Sequence, residues 1–355
     1  MFPAWTWIVG FFLGATIGSF LNVVIYRTPR NLSLSNPKHS FCPKCKHRLD
    51  ALDLIPLFSF LLSRGKCRHC GASVSPRYFF VELLNGAIWA GLWWQYFVVG
   101  ADPGRAIAYA AAASTLVAII FIDWELYIIP DSINAFLLLV GLLYNGWLYY
   151  KGSPAASING VPSSLIGALV GIGVLWGIAF LGRLLFRKDA MGHGDIKMAR
   201  GIGAVLLPVT AVMSFALAVV LGAVLGIVQI LALRRADGIG SNSGMAEGRN
   251  SGDSDSINPE EEEYEPESIP SLLQSGLGYV LCIDILGLFF PKLYKAWFHE
   301  DAYLPFEEVE EYPIEKTMIP FGPYLALGAI VATIFQTPLV HAVQSYLNWA
   351  MGAGQ

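Results

Sequence analysis

Charged residues are scarce in this chain of 355 residues. Asp, Glu, Lys and Arg make up 14% of it, whereas soluble domains contain about 25%. This shortage excludes a soluble enzyme, and the 55% hydrophobic content excludes a disordered chain. A bilayer span needs about 20 mostly apolar residues, so the chain is predicted to be an all-α polytopic membrane protein. Charge is entirely absent from residues 5–26, 83–101, 106–122, 132–150, 152–182, 201–233 and 317–340.

Basic residues are concentrated in one segment, which orients the chain in the membrane. Residues 27–77 hold 10 of the 23 Lys and Arg. Because cytoplasmic loops are enriched in Lys and Arg, we expect this segment inside and both termini outside. The first uncharged run lacks a preceding basic segment and a clear cleavage site, so we expect a retained span. About eight spans are predicted, at 5–26, 78–99, 106–122, 132–150, 163–185, 195–207, 209–233 and from near 319.

The uncharged run 201–233 is too long for one span. As a single helix it would reach about 50 Å, against a hydrocarbon core of about 30 Å. Pro208 offers a break, because proline interrupts the helical hydrogen bonds. We therefore predict a short span before Pro208 and a longer one after it, which returns Arg234 and Arg235 to the cytoplasm.

An acidic segment separates the last two predicted spans. Residues 236–316 contain 18 Asp and Glu against 4 Lys and Arg. The Gly, Ser, Asn, Glu and Pro content of residues 237–270 predicts disorder. Residues 275–298 are partly apolar but interrupted by charge, which favours an interfacial helix on the cytoplasmic face. A ninth span is the alternative.

Four of the five cysteines form two CxxC pairs in the basic segment. Cys42 and Cys45 lie in CPKC, and Cys67 and Cys70 lie in CRHC. Two such pairs predict a structural zinc site with four thiolate ligands. Two disulfides are the alternative, but a cytoplasmic loop is reducing. His47 and His69 are expected to be solvated, and Cys282 to be a small apolar residue.

Two acidic residues lie where predicted spans meet the cytoplasm. Asp123 ends the third span in FIDWELYIIPD, and Asp195 begins the sixth in GHGDIK. Acids at membrane depth are costly and mark functional sites. Two carboxylates that share a site can divide the roles of base and acid, as in aspartic proteases. Gly192 and Gly194 leave room beside them for a substrate backbone or a neighbouring helix.

Each carboxylate also has a simpler interpretation. Asp195 at a helix N-terminus benefits from the helix dipole, whereas Asp123 at a C-terminus does not. Asp131 follows Pro130 and resembles a helix N-cap more than a catalyst. Paired acids also serve as proton or cation relays in transporters. A non-catalytic scaffold, whose cysteine loop recruits a partner, is a further alternative.

Taken in order, these motifs resemble the type IV prepilin leader peptidase/N-methyltransferase family. The resemblance rests on GSFLNVVIYRTP at 18–29, the two CxxC pairs with DLIPLFSFLLSRGKCRHC, RYFFVELLNG at 77–86, FIDWELYIIPD, GHGDIK for the family's GxGDxK, and IPFGPYLALGA at 319–329. It covers nearly the whole chain. Each motif is moderately specific, and the ordered set is highly specific.

The resemblance implies an aspartic protease of the bacterial inner membrane with periplasmic termini. Such an enzyme cleaves the basic leader of type 4 prepilins and pseudopilins after a Gly, then methylates the new N-terminus with S-adenosylmethionine. Asp123 and Asp195 take the catalytic positions, Lys197 falls on the motif's Lys, and Gly65 and Glu82 match the methyltransferase pattern. No GxGxxG motif locates the methyl donor, and a peptidase without methylation is the alternative. Lipid and prepilins are the expected partners, with no nucleic acid.

With this resemblance the chain divides into five parts. They are the first span 1–26, the methyltransferase-associated zinc loop 27–77, the transmembrane peptidase core 78–235, the acidic insertion 236–316 and the last span 317–355. The family usually has a short link where this chain carries its insertion.

Overall fold

The computed structural model of the chain describes residues 2–42, 44–100, 102–187, 191–240, 267–299 and 320–350, and it is mostly helical. The helices are α1 (Trp7–Arg27), α2 (Phe58–Leu62), α3 (Arg77–Trp93), α4 (Pro103–Leu126), α5 (Asp131–Tyr150), α6 (Ser163–Phe186), α7 (His193–Gly240), α8 (Ile269–Val280), α9 (Ile283–Gly287), α10 (Pro291–Phe298), α11 (Gly322–Ile334) and α12 (Gln336–Ala350). An antiparallel pair, β1 (Ser157–Ile158) and β2 (Val161–Pro162), precedes α6.

Five helices among the described residues are long and apolar enough to cross a bilayer, or six if the bent pair α11 and α12 forms one span. Helices dominate because lipid offers no hydrogen bonds, so each backbone group must be satisfied within its own segment. α3 continues into a π-helical turn at Trp94–Val99 and so extends toward the end of the predicted second span. The polytopic all-α fold is confirmed, and the count of eight spans stays a prediction.

The predicted interruption near Pro208 is present within α7. Leu207 has φ 67° and ψ 166°, outside the helical region, immediately before Pro208. A proline disfavours helical geometry in the residue before it. The sequence signal therefore located the break to within one residue.

The last predicted span is not straight. α11 has 13 residues, about 20 Å of helix, and α12 departs from it at 86°. Pro338 lies in the first turn of α12, where a missing N–H is tolerated, but it could not continue α11. The Tyr109 hydroxyl fixes the corner by hydrogen bonding to Gln336 Oε1 at 2.8 Å. The chain thus forms a broken or re-entrant segment here.

The predicted interfacial helix at 275–298 is divided among α8, α9 and α10. Cys282 has a left-handed φ of 56° and ends the first helix, while Pro291 begins the third. These helices have 12, 5 and 8 residues, so no helix described in 267–299 is long enough to be a ninth span. Of the predicted disordered stretch 237–270, residues 241–266 lie outside the described part of the chain.

Glycines allow the helices that carry the site to cross closely. A Cβ atom at Gly167 of α6 would overlap the carbonyl oxygen of Gly203 in α7, and one at Gly171 would overlap that of Ala199. In lipid, where the hydrophobic effect does not drive helices together, such backbone proximity is a main source of association. The α6–α7 crossing therefore holds in place the helix that carries the GHGDIK motif.

We predict that Gly171→Ala destabilises the protein. The added methyl group must separate α6 from α7, and overpacking of this kind costs about 1–3 kcal/mol. The measurement is the unfolding temperature of purified protein in detergent. Gly173→Ala is the matched control, because a Cβ atom there meets nothing within 4 Å. Equal unfolding temperatures for the two variants would contradict the close crossing.

Candidate active site

Asp123 and Asp195 lie together where α4 ends and α7 begins. Asp123 occupies the last turn of α4 and is 6% exposed, and Asp195 is in the first turn of α7 and is 8% exposed. Their carboxylates are near enough for the charges to interact. The two helix ends predicted to share one membrane face therefore bring their acids into one site.

A third element, the start of α11, completes the surroundings of Asp123. The backbone N–H of Gly322 donates a hydrogen bond to the Asp123 carboxylate. A Cβ atom at Gly322 would overlap Asp123 Oδ2, so only glycine permits this approach. Sequence analysis missed Gly322, although its position in IPFGPY, directly before a helix-starting proline, was a signal.

One oxygen of the pair is left without a partner. Asp195 Oδ1 is buried and accepts no hydrogen bond from any described residue. Burying an unpaired carboxylate oxygen costs free energy, so such atoms require an explanation. An oxygen in this state is available to bind a water molecule or a substrate group beside Asp123.

The two predicted glycines have different surroundings. A Cβ atom at Gly194 would lie 3.0 Å from Ile129 Cβ, so this glycine admits the chain between α4 and α5. A Cβ atom at Gly192 would stand 3.4 Å from Asp195 Oδ2, which is ordinary contact. The space left by the missing side chain of Gly194 is therefore filled by Ile129 of the protein itself and is not open to a substrate.

Asp131 and Lys197 form an ion pair. Lys197 Nζ lies 2.7 Å and 2.9 Å from the two oxygens of Asp131. The N-cap interpretation of Asp131 is wrong, because Pro130 occupies the cap position and Asp131 is the first residue of α5, with both carboxylate oxygens bonded to Lys197. Lys197, whose role was undefined, joins the start of α7 to the start of α5.

The four cysteines of the two CxxC pairs converge. Their Sγ atoms all lie within 4.8 Å of one another, and those of Cys42 and Cys70 are 3.9 Å apart. Zn–S bonds of about 2.3 Å place tetrahedral ligands about 3.8 Å apart. The spacing fits one tetrahedral metal ion and is too long for a disulfide of about 2.05 Å.

Each CxxC pair is shaped by the same turn. The N–H of Cys42 donates to the carbonyl of His47 and that of Cys67 donates to Ala72, at 2.9 Å and 2.8 Å. Backbone N–H groups of Cys45 and Lys44 lower the pKa of the Cys42 thiol to about 7. Burial and the neighbouring thiols raise the pKa of Cys45 to about 11, so the four thiols do not all favour the thiolate, which is the form that binds metal.

A cavity of about 480 Å³ lies between this loop and helices α1 and α3. Its wall includes Cys42, Cys67 and Glu82, whose carboxylate accepts the Leu57 N–H at 2.7 Å. Gly65 adopts a left-handed φ of 66° in a turn against Phe60, so it shapes the loop. Basic and aromatic side chains in the wall include Tyr26, Arg27, Arg30, Phe41, Lys44, Phe60, Lys66, Arg68, Arg77 and Tyr78.

The wall of the cavity is joined to the end of α4 that carries Asp123. Arg77 Nη1 contacts Glu125 Oε2 at 2.5 Å, and Glu125 lies in the same final turn as Asp123. The cysteine loop, the cavity and the aspartates are thereby parts of one connected region.

Comparison with known proteins agrees with this arrangement. Residues 12–96 match the bacterial peptidase A24 N-terminal domain, and residues 110–227 match the type IV leader peptidase family. The prepilin leader peptidase/N-methyltransferase of Myxococcus xanthus is 32% identical over 325 residues, which cover 90% of this chain and 87% of that protein.

Two further relatives carry the same name. That of Dichelobacter nodosus is 34% identical over 241 residues, covering 58% of this chain and 78% of that protein. That of Neisseria gonorrhoeae is 32% identical over 254 residues, covering 64% and 82%. No solved structure matches. Because the family models match residues 12–96 and 110–227 and the Myxococcus xanthus relative covers 90% of the chain, the chain belongs to the type IV leader peptidase family.

Proposed function

We propose that the chain cleaves the leader peptide of type 4 prepilins and pseudopilins after a Gly, and then methylates the new N-terminal amine with S-adenosylmethionine. The observation that carries the proposal is the buried, unpartnered Asp195 Oδ1 beside Asp123. The names of the relatives supply the substrate class and the second activity.

The geometry suits hydrolysis by an activated water. One carboxylate removes a proton from water, while the other, protonated, donates to the oxygen of the scissile carbonyl. The Gly322 N–H orients Asp123, so that side chain needs no reorganisation during the reaction. Collapse of the tetrahedral intermediate returns the proton to the leaving amine, which becomes the new N-terminus.

We expect Asp123→Asn and Asp195→Asn each to lower prepilin cleavage by at least about 100-fold, since neither amide can exchange the proton. Methylation of a pilin peptide that is already cleaved should continue. Both are measured by product mass in liposomes. Asp102→Asn is the matched control, because Asp102 caps the opposite end of α4 and Asn caps equally well.

The outcome also separates the alternatives. A transporter that uses the two acids as a relay predicts ion flux without cleavage. Cleavage that persists in either variant would remove that aspartate from the pair.

The cysteine cluster fits a structural zinc ion held by Cys42, Cys45, Cys67 and Cys70. A closed site with four thiolates supplies folding energy and leaves no position for substrate. The loop has little apolar core of its own, so the metal would fix its shape against the cavity.

We predict that Cys67→Ser abolishes stoichiometric zinc binding and lowers methyl transfer. Without four thiolates the loop loses the energy that folds it. Metal content of the purified protein and methylation of the cleaved peptide are the two measurements. Cys282→Ser is the control, because Cys282 lies near Arg200 and outside the cluster. Full zinc content in Cys67→Ser would contradict the four-ligand site.

We propose that the methyl donor binds in the cavity beside this loop. S-adenosylmethionine carries a carboxylate and an adenine ring, which suit the arginine and tyrosine side chains of α1 and α3 in the wall. Glu82 supports the wall by holding Leu57. Bound there, the donor would supply an electrophilic methyl group to the amine.

Glu82→Ala should lower methyl transfer by about tenfold or more, because loss of the Leu57 hydrogen bond loosens the cavity wall. Cleavage should stay within about threefold of wild type. Single-turnover assays of the two reactions make the comparison. Equal losses in both reactions would show that Glu82 supports the whole fold instead of the donor site.

The enzyme is proposed to lie in the bacterial inner membrane with the cysteine loop inside and both termini in the periplasm. The basic loop supports this orientation. Phe289 and Phe290, between α9 and α10, are 75% and 62% exposed, which supports an interfacial position for residues 267–299.

A further inference from the structure

Three polar side chains occupy one face of the first turns of α7. His193, Lys197 and Arg200 follow each other at intervals of four and three residues, which places them in one stripe. Asp195 is two residues from both His193 and Lys197, about 200° around the helix axis. The stripe therefore faces away from the side of α7 that presents the catalytic carboxylate.

Residues 267–299, here named the clamp segment, bind this stripe. Arg200 forms a two-pronged ion pair with Asp284, with nitrogen to oxygen distances of 2.9 Å and 2.6 Å, and both residues are 1% exposed. Arg200 also donates to the carbonyl of Tyr279 at 2.7 Å. A planar guanidinium held at two edges has little freedom to rotate.

The other two members of the stripe are held by the same segment. Besides its contact with Asp131, Lys197 Nζ lies 5.4, 5.7 and 5.9 Å from the ring centres of Tyr279, Tyr294 and Phe298. This is within the range of cation–π attraction. His193 Nδ1 is 2.6 Å from the Tyr279 hydroxyl, and its Nε2 is 3.1 Å from Glu267.

We infer that the clamp segment is a positioning device for the peptidase reaction. By holding three side chains on one face, it sets the rotation of the first turns of α7 about their axis and thus the position of Asp195 relative to Asp123. This inference rests on the proposed function. Because it acts on α7 and not on the cysteine loop, the device governs cleavage and leaves methyl transfer unaffected.

The first test replaces the buried ion pair by apolar residues of similar size. Removing one partner would strand a buried charge, whereas replacing both is often neutral for stability. Full-length Arg200→Met/Asp284→Leu protein is therefore compared with wild type for prepilin cleavage, for methylation of a cleaved pilin peptide, and for unfolding temperature. The inference predicts a fall in kcat of about tenfold to 100-fold, with KM and methylation unchanged.

If the double variant does not fold, two single substitutions at Phe298, which leave the ion pair intact, test the positioning role. Phe298→Leu removes a ring from Lys197, and Phe298→Tyr keeps it. We expect kcat for cleavage to fall several-fold in the first and to stay near wild type in the second. Methylation should be equal in both.

Results that contradict the clamp inference can be told apart from results that contradict the proposed function. A folded double variant with wild-type kcat, or a loss of cleavage and methylation in equal measure, would overturn the positioning role. Wild type and Asp195→Asn are assayed alongside. Cleavage by wild type and its loss in Asp195→Asn test the proposed function separately, so failure of the clamp inference leaves that function standing.

Discussion

Lipid gives a buried charge no partner, and this constraint explains where the chain places its few ionisable groups. Lys197 and Arg200 enter the apolar helix α7 only because each is paired with a carboxylate from another element. Asp195 lies on the same helix and retains an unpaired oxygen. Arg200 Nε also lacks a partner, so it is the position of Asp195 beside Asp123, and not the unpaired oxygen alone, that supports a reactive role.

Features that depend on residues close together in the chain could be predicted from the sequence. The charge distribution placed the ends of α4 and α7 at one face, and the structure brings Asp123 and Asp195 together there. Pro208 marked the break in α7 because a proline acts on its immediate neighbour. The paired CxxC turns likewise depend on residues close in sequence, and their thiols converge as the spacing predicted.

Contacts between distant segments could not be predicted in this way. Gly322 reaches Asp123 through the packing of α11 on α4, and nothing near Asp123 in sequence indicates it. Residues 275–298 were expected to form one helix because their apolar content was considered without their partners. Hydropathy reports how apolar a segment is and not the direction of its helix axis. It therefore did not predict the 86° bend between α11 and α12, although Pro338 lies in the first turn after the bend.

The order of the two reactions explains why the cavity and the two aspartates belong to one connected region. In the proposed mechanism, cleavage creates an amine at the aspartates, and methylation requires that amine to meet a donor in a defined geometry. The contact between Arg77 and Glu125 joins the cavity wall to the last turn of α4, which carries Asp123. In the proposed mechanism each reaction has its own support: the clamp segment for Asp195, and the cysteine loop for the cavity. With separate supports, a substitution in the clamp segment is expected to change the rate of cleavage alone, and one in the cysteine loop the rate of methyl transfer alone.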